Sequence, residues 1–323
     1  MELKNTVNGR IMFMGTPDIA AGVLTRLIDS GADVVCAVTG EDKPRGRGNV
    51  MTPTPVKRVA LSAGIPVLTP KTLRDGAFRE SLDAYRPELI VVVAYGKILP
   101  DYVLDYPSAG CVNVHVSLLP KYRGAAPMQR AIMDGEHETG VTLMYMDSGL
   151  DTGDIIAQEK FPIGDTDDFE AIHDRSMTCG AELLVRLLPD ILSGTAPRVK
   201  QPDTGATYAR KIEKCDTHLD FRKSARQLDF IIRGLCPIPY AATELRGRLI
   251  KICTATPTEG RGEPGEVIAV DGKGDGSFTV ACGEGALRVT SVIPEGKGRM
   301  PAGDLVRGRK IDKGDKLTCF SEA

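Results

Sequence analysis

The stretch RIMFMGTPDIAAGVLTRLIDSGADVVCAV, residues 10–38, decides the fold. Arg10 to Met14 is a short apolar run that stops at Gly15. Thr16-Pro17-Asp18 then supplies a cap, a first-turn proline and an acidic residue, three signals of a helix start. Ala20, Val23, Leu24, Leu27 and Ile28 recur at helical spacing until Gly31, and Val34 to Val38 is a second apolar run. The reading is strand, helix, strand. The alternation continues along the chain: Thr54-Pro55 opens a helix that Gly64 ends, LIVVVA (89–94) and CVNVHV (111–116) are strands, and Pro127 starts another helix. VTLMYM (141–146) and DIIAQEKF (154–161) flank a glycine-rich turn, and 169–192 is a long amphipathic helix. Continuous apolar strands alternating with helices predict an α/β fold with a doubly wound, mostly parallel sheet.

SGTAPRVKQPDTGATYARK (193–211) has Pro, Gly, Ser and Thr without apolar periodicity and reads as a linker. Beyond it, Ser224 and Gln227 form a capping box before a helix with apolar Leu228, Ile231, Ile232 and Leu235. RLIKICTA, GEVIAV, SFTVAC and ALRVTSVI follow as short strands between glycine turns, which suggests a small C-terminal β-barrel of OB-like kind. The expected division is 1–206, including the linker from about 193, and 207–323.

The 323 residues suffice for two domains, and 42% of them are hydrophobic. The net charge of -2 is unevenly spread. From residue 207 onward 20 Lys and Arg face 16 Asp and Glu, a net of +4, leaving -6 for the first part. That asymmetry points to an anionic partner for the C-terminal part. Eight cysteines are scattered without a C-x-x-C pair or a Cys/His cluster, the pattern of reduced thiols serving as small core residues, so neither a disulfide frame nor a metal site is expected. With no signal core and no apolar run of membrane-spanning length, a soluble cytoplasmic protein without membrane contact is expected.

MFMGTPDIAAG stands where a dinucleotide fingerprint would, but Pro17 and Ala20 occupy positions that fingerprint gives to glycine, which argues against NAD or ATP. CVNVHVSLLP (111–120) is more informative. Side chains alternate along a strand, so Val112, Val114 and Val116 share one face while Asn113, His115 and Ser117 share the other. In doubly wound sheets ligands bind beyond the carboxyl ends of strands, and this polar face ends one. An amide and an imidazole side by side can hold an oxyanion, and the imidazole can relay a proton. A satisfied buried histidine beside a structural asparagine is the bland alternative. DSGLDTGD (147–154) adds Asp147, Asp151 and Asp154 in a tight turn. Asp147 and Asp154 suit turn capping, while mid-loop Asp151 is best placed to orient the histidine. No G-x-S-x-G elbow occurs, so direct attack by a substrate amine fits better than a covalent enzyme intermediate. GEDKPRGRGNVMTPTP (40–55) sets Lys43, Arg45 and Arg47 among glycines, either a solvated loop or one that moulds onto phosphates.

VNVHVSLLPKYRGAAPMQRAI and ETGVTLMYMDSGLDTGDIIAQ together resemble the 10-formyltetrahydrofolate-dependent formyltransferases across the whole first domain, which implies a Rossmann-like formyltransferase fold. MGTPDIAAGVL, KPRGRGNVMTPTPVK and VVVAYGKILP narrow the resemblance to the branch that formylates the α-amine of initiator methionyl-tRNA and carries a C-terminal barrel for tRNA. The resemblance implies Asn113, His115 and Asp151 as the catalytic trio, and Ser117, Leu118, Leu119 and Pro120 bordering the folate. It also implies that the loop with Lys43, Arg45 and Arg47 reaches the tRNA acceptor end, and it implies no metal; a monomeric chain is expected. Rival readings are formylation of an amino-sugar nucleotide, hydrolysis of the formyl donor with release of formate, and a non-catalytic RNA-binding module.

Overall fold

The computed structural model describes residues 9–45, 48, 50–202 and 204–318, with only the backbone of Arg45. It contains two compact units, one of residues up to 127, 138–161 and 173–209, the other of 128–137, 162–172 and 210 onward. Through residue 209 the elements in chain order are β1 (Ile11–Gly15), α1 (Asp18–Asp29), β2 (Val34–Val38), β3 (Lys43–Arg45), β4 (Val50–Thr52), α2 (Pro55–Ser62), β5 (Val67–Leu68), α3 (Phe78–Tyr85) and β6 (Leu89–Val93). They continue as α4 (Asp101–Leu104), β7 (Cys111–His115), β8 (Arg123–Gly124), α5 (Pro127–Met133), β9 (Glu138–Tyr145), β10 (Ile155–Pro162), α6 (Phe169–Leu192) and β11 (Tyr208–Ala209).

The main sheet of the first unit runs β10-β9-β7-β6-β1-β2-β5. β1 pairs in parallel with β2 and β6, β2 with β5, and β6 with β7, while β7 and β9 are antiparallel. From β1 the chain moves out to β5 and returns to β6 on the other flank of β1, the reversal at which such sheets open a crevice. β1 and β6 are buried at every position, as strands covered on both faces must be. The doubly wound, mostly parallel sheet expected from the alternation is the one observed.

β7 shows how packing assigns its two faces. A Cβ added to Gly180, in the middle of α6, would lie 2.6 Å from Val114 Cγ1, so the missing side chain lets the helix press on the valine face. That leaves Asn113 and His115 on the face that α6 does not cover.

Two local readings need correction. Thr16 does not cap α1. The helix starts one residue too late for it, with Pro17 at the N-cap position and no side-chain cap, and Thr16 Oγ1 instead accepts from Gly40 N at 3.3 Å. Thr54 does cap α2, accepting from Lys57 N at 3.2 Å. The stretch read as a linker is also more ordered than its composition suggests. Val199 bridges Ile155, and β11 pairs in parallel with β8. These pairings are two residues long or less, too short to leave a periodic trace in the sequence. The loop of 40–55 is in part a ribbon, with β3 antiparallel to β4.

In the second unit, α7 (Ala225–Leu235) begins at the predicted capping box, with Ser224 Oγ accepting from Gln227 N at 3.2 Å and Gln227 Oε1 accepting from Ser224 N at 3.0 Å. Then follow β12 (Ala241–Leu245), β13 (Arg248–Thr258), β14 (Val267–Asp271), β15 (Ser277–Ala281), β16 (Ala286–Pro294), β17 (Met300–Pro301), α8 (Ala302–Arg307) and β18 (Leu317–Thr318). The sheet order is β14-β15-β16-β13-β12-β18, with β17 beside β16. A bridge between Glu266 and Lys316 joins its two edges, so the sheet curls on itself and protects strands that would otherwise be open. Leu228, Ile231, Ile232 and Leu235 of α7 close the core with Phe278, Val280 and Val289.

Gly180→Ala should destabilise the protein by about 1–3 kcal/mol, the usual cost of overpacking, and Val114→Ala in the same chain should relieve part of that loss. Thermal melts of both single variants and the double variant check this; a Gly180→Ala melt equal to wild type would mean the helix does not press on β7 as described.

Candidate active site

His115 is the last residue of β7 and only 5% exposed, whereas Asn113, two residues back on the same face, is half-buried. After the strand the chain doubles back, and His115 Nε2 meets the carbonyl oxygen of Tyr122 at 3.0 Å. A carbonyl can only accept, so Nε2 carries the hydrogen. Nδ1 is then the nitrogen turned toward Asp151, with Oδ2 3.6 Å away, too far for a direct hydrogen bond. Burial pushes the His115 pKa below its ordinary value, against the opposing pull of the Asp151 carboxylate and the Tyr122 carbonyl. The resting ring is therefore the neutral Nε2–H tautomer, with a basic Nδ1 beside a carboxylate.

Asp151 owes its position to the loop. Its backbone is left-handed, with φ of 53°, a conformation that costs a non-glycine residue about 1 kcal/mol or more. Gly124 N donates to its Oδ2 at 2.8 Å. At Gly153 a Cβ would sit 2.0 Å from the Tyr145 carbonyl oxygen, so only glycine lets the loop close here. Of the other two aspartates, Asp147 spends its carboxylate on the turn itself and Asp154 joins the neighbouring strand through its backbone. Asp147 Oδ1 accepts from Gly149 N at 3.0 Å and from Thr152 Oγ1 at 2.7 Å, and the Asp154 carbonyl accepts from Tyr145 N at 2.9 Å.

The turn from Ser117 to Tyr122 is fastened from several sides. Ser117 is fully buried and its Oγ donates to the Lys121 carbonyl at 2.7 Å. Thr142 Oγ1 donates to the Ser117 carbonyl at 2.7 Å and accepts from Leu119 N at 3.1 Å. Gln158 Nε2 donates to the Leu119 carbonyl at 2.9 Å, and Tyr122 N donates to Thr207 Oγ1 at 2.8 Å. Ser117 and Leu119 are thus engaged in holding the turn, and the half-buried Leu118 and Pro120 are its outward members. Sequence reasoning missed Tyr122, Thr142, Gln158 and Thr207. Thr142 and Gln158 sit in strands where polar residues read as ordinary outward positions, and Thr207 sits in the presumed linker.

Lys43 is exposed on β3; the Arg45 side chain and all of Arg47 lie outside the described residues. Lys57 pairs with Asp42 at 2.7 Å at the base of the ribbon. Among the described residues no three His, Cys, Asp or Glu side chains form a group fit for a metal ion, and no helix is long and apolar enough to cross a membrane.

Comparison with known proteins adds to this geometry. Residues 9–188 match the family model described as formyl transferase, and 211–310 that of the formyl transferase C-terminal domain. The methionyl-tRNA formyltransferase of Lachnospira eligens is 45% identical over 315 residues, 95% of this chain and 99% of that relative. That of Myxococcus xanthus is 46% identical over 307 residues, 95% and 97% of the two chains. In fold, the chain resembles the crystal structure of HypX from Aquifex aeolicus in complex with tetrahydrofolic acid, with a TM-score of 0.64 at 18% identity, covering 97% of this chain and 51% of that one.

An NMR titration of His115 should give a midpoint below the ordinary value of about 6.5, with the Nε2–H tautomer present at neutral pH. Asp151→Asn should move the midpoint lower still, because the carboxylate favours the charged ring. A midpoint above the ordinary value, or an upward shift in Asp151→Asn, would contradict the charge state assigned to the site.

Proposed function

Because this chain belongs to the formyltransferase family, we propose that it transfers the formyl group of 10-formyltetrahydrofolate to the α-amine of methionyl-tRNA, giving N-formylmethionyl-tRNA for translation initiation. The observation that carries the chemical reading is His115 Nδ1, left free by the bond from Nε2 to Tyr122, beside Asp151 Oδ2, with Asn113 on the same strand face. The family resemblance supplies the substrates and the residues supply the proton path.

The neutral amine attacks the formyl carbon, and the formyl oxygen takes up negative charge. Asn113 donates its amide hydrogen to that oxygen. His115 Nδ1 receives the proton shed by the attacking nitrogen, and the imidazolium so formed is stabilised by Asp151 on one side and the Tyr122 carbonyl on the other. Its Nδ1–H then serves as a donor and returns the proton to the folate nitrogen as the old C–N bond breaks. One C–N bond is exchanged for another and the proton count closes. Nothing is oxidised or reduced.

Leu118 and Pro120 would face the folate, with Ser117 and Leu119 holding the wall they stand on. Lys43, Arg45 and Arg47 would meet phosphates at the acceptor end of the tRNA, with further backbone contacts from the barrel of residues 207–323. The second domain is thereby a tRNA platform and residues 1–206 the catalytic part. A cytoplasmic monomer fits this role.

Labelled formyl should pass from 10-formyltetrahydrofolate to methionyl-tRNA, and neither an amino-sugar nucleotide nor water should replace the acceptor at a comparable rate. Transfer to the sugar, or formate release without acceptor, would overturn the assignment. His115→Ala, Asn113→Ala and Asp151→Asn should each lower kcat by about 10²-fold or more. Pairs should lose far less than the product of the single losses, because the groups act as a unit. Neutralising Lys43, Arg45 or Arg47 should raise KM for methionyl-tRNA and leave the folate KM in place. The salt slope of tRNA binding should flatten by roughly one counterion for each phosphate left without its cation.

A further inference from the structure

The stretch that composition marks as a linker sends a side chain to the loop that carries Asp151. Gln201, half-buried, donates through Nε2 to the Asp151 carbonyl at 2.9 Å and to the Gly153 carbonyl at 2.8 Å. The first acceptor belongs to the left-handed residue itself and the second lies two residues on, so the amide holds the turn just where its backbone is strained. The other end of the same amide is held as well. Arg123, only 9% exposed, donates to Gln201 Oε1 through Nε at 3.1 Å and Nη2 at 2.6 Å. Because both donors are on the guanidinium, Oε1 is the oxygen and Nε2 the donor, so the orientation of the amide is determined by chemistry.

Arg123 is also the residue between the two backbone groups that define the site. Tyr122 accepts from His115 Nε2, and Gly124 N donates to Asp151 Oδ2. The chain 123–201–151 therefore links the segment that orients His115 to the segment that orients Asp151. Thr207 adds a second tie from the same stretch, accepting from Tyr122 N, while its own carbonyl accepts from Arg123 N at 2.9 Å.

We propose that Gln201, oriented by Arg123, is a positioning residue that holds Asp151 in its left-handed conformation and so sets the geometry of the His115–Asp151 pair. This rests on the proposed role of Asp151. Gln201 acts on the pair through two hydrogen bonds to backbone carbonyls of the Asp151 loop. A carboxylate 3.6 Å from Nδ1 already lies at the edge of direct contact, so a small displacement matters.

The test uses Gln201→Glu in the full-length enzyme. This isosteric change leaves an oxygen for Arg123 but replaces both N–H donors with an oxygen aimed at two carbonyls. The expected result is a kcat lowered about tenfold or more, with KM for folate and methionyl-tRNA within about threefold of wild type, since only alignment is lost. Gln201→Ala is measured alongside, and circular dichroism and melting confirm that each variant is folded. The discriminating measurement is Gln201→Glu placed in Asp151→Asn. A positioning role predicts less than about twofold further loss there, because the group being positioned no longer acts. A folded Gln201→Glu and Gln201→Ala with kcat within about twofold of wild type would overturn the inference, as would an equal loss in both backgrounds, the sign of a general structural defect. Near wild-type kcat in Asp151→Asn itself would instead remove the reading of Asp151 on which the inference rests.

Discussion

The hydrogen bond from His115 Nε2 to the Tyr122 carbonyl is the constraint around which the site is organised. An imidazole has two nitrogens, and its chemistry depends on which one is free. Committing Nε2 to an acceptor that cannot donate leaves Nδ1 as the working atom and turns it to Asp151. For that carbonyl to be in place, the chain after β7 must reverse within a few residues. The reversal is stabilised by Thr142, Gln158 and Thr207, each bonded to backbone of the turn. These bonds lie in partly or fully buried surroundings, where an unmade bond is costly and a made one therefore holds position well.

Burial and charge act against each other on the same ring. Removal from water favours neutral His115, while the neighbouring carboxylate favours the cation. The balance matters for proton transfer, since a base that is too weak never accepts and an acid that is too weak never returns the proton. A site that was more exposed would lose the first influence, and one without Asp151 would lose the second. The sheet provides the required asymmetry: the valine face of β7 presses on α6, and the opposite face ends at a strand terminus among polar loops.

The second unit is built differently. Its curled antiparallel sheet is joined edge to edge by Glu266 and Lys316, and its core is an ordinary cluster of aliphatic side chains with Phe278. The surplus of basic residues from 207 onward belongs to the linear chain, and the acidic segments 128–137 and 162–172 that fold into the same unit offset it.

Length, alternation and turn chemistry alone determined much of the protein. β1, α1, β2, β6, β7 and α6 are legible because apolar period and helix punctuation are local properties, read within a window of one element. Asn113, His115 and Asp151 stand out as candidates for another reason: polar residues on a strand end and an acidic glycine turn violate the surrounding pattern. Thr16, one residue too early to cap α1, shows the limit even of local reading, since the cap position depends on where the backbone actually turns. What only the tertiary structure decided is how the site is held. Which nitrogen of His115 is free, and the parts played by Arg123, Thr142, Gln158, Gln201 and Thr207, all rest on contacts between distant residues. Gln201 bonds the Asp151 carbonyl across 50 positions, and Thr207 bonds Tyr122 across 85. A hydrogen bond from an isolated polar side chain to a remote backbone atom has no period and no composition. It exists only once the fold has brought its two ends together.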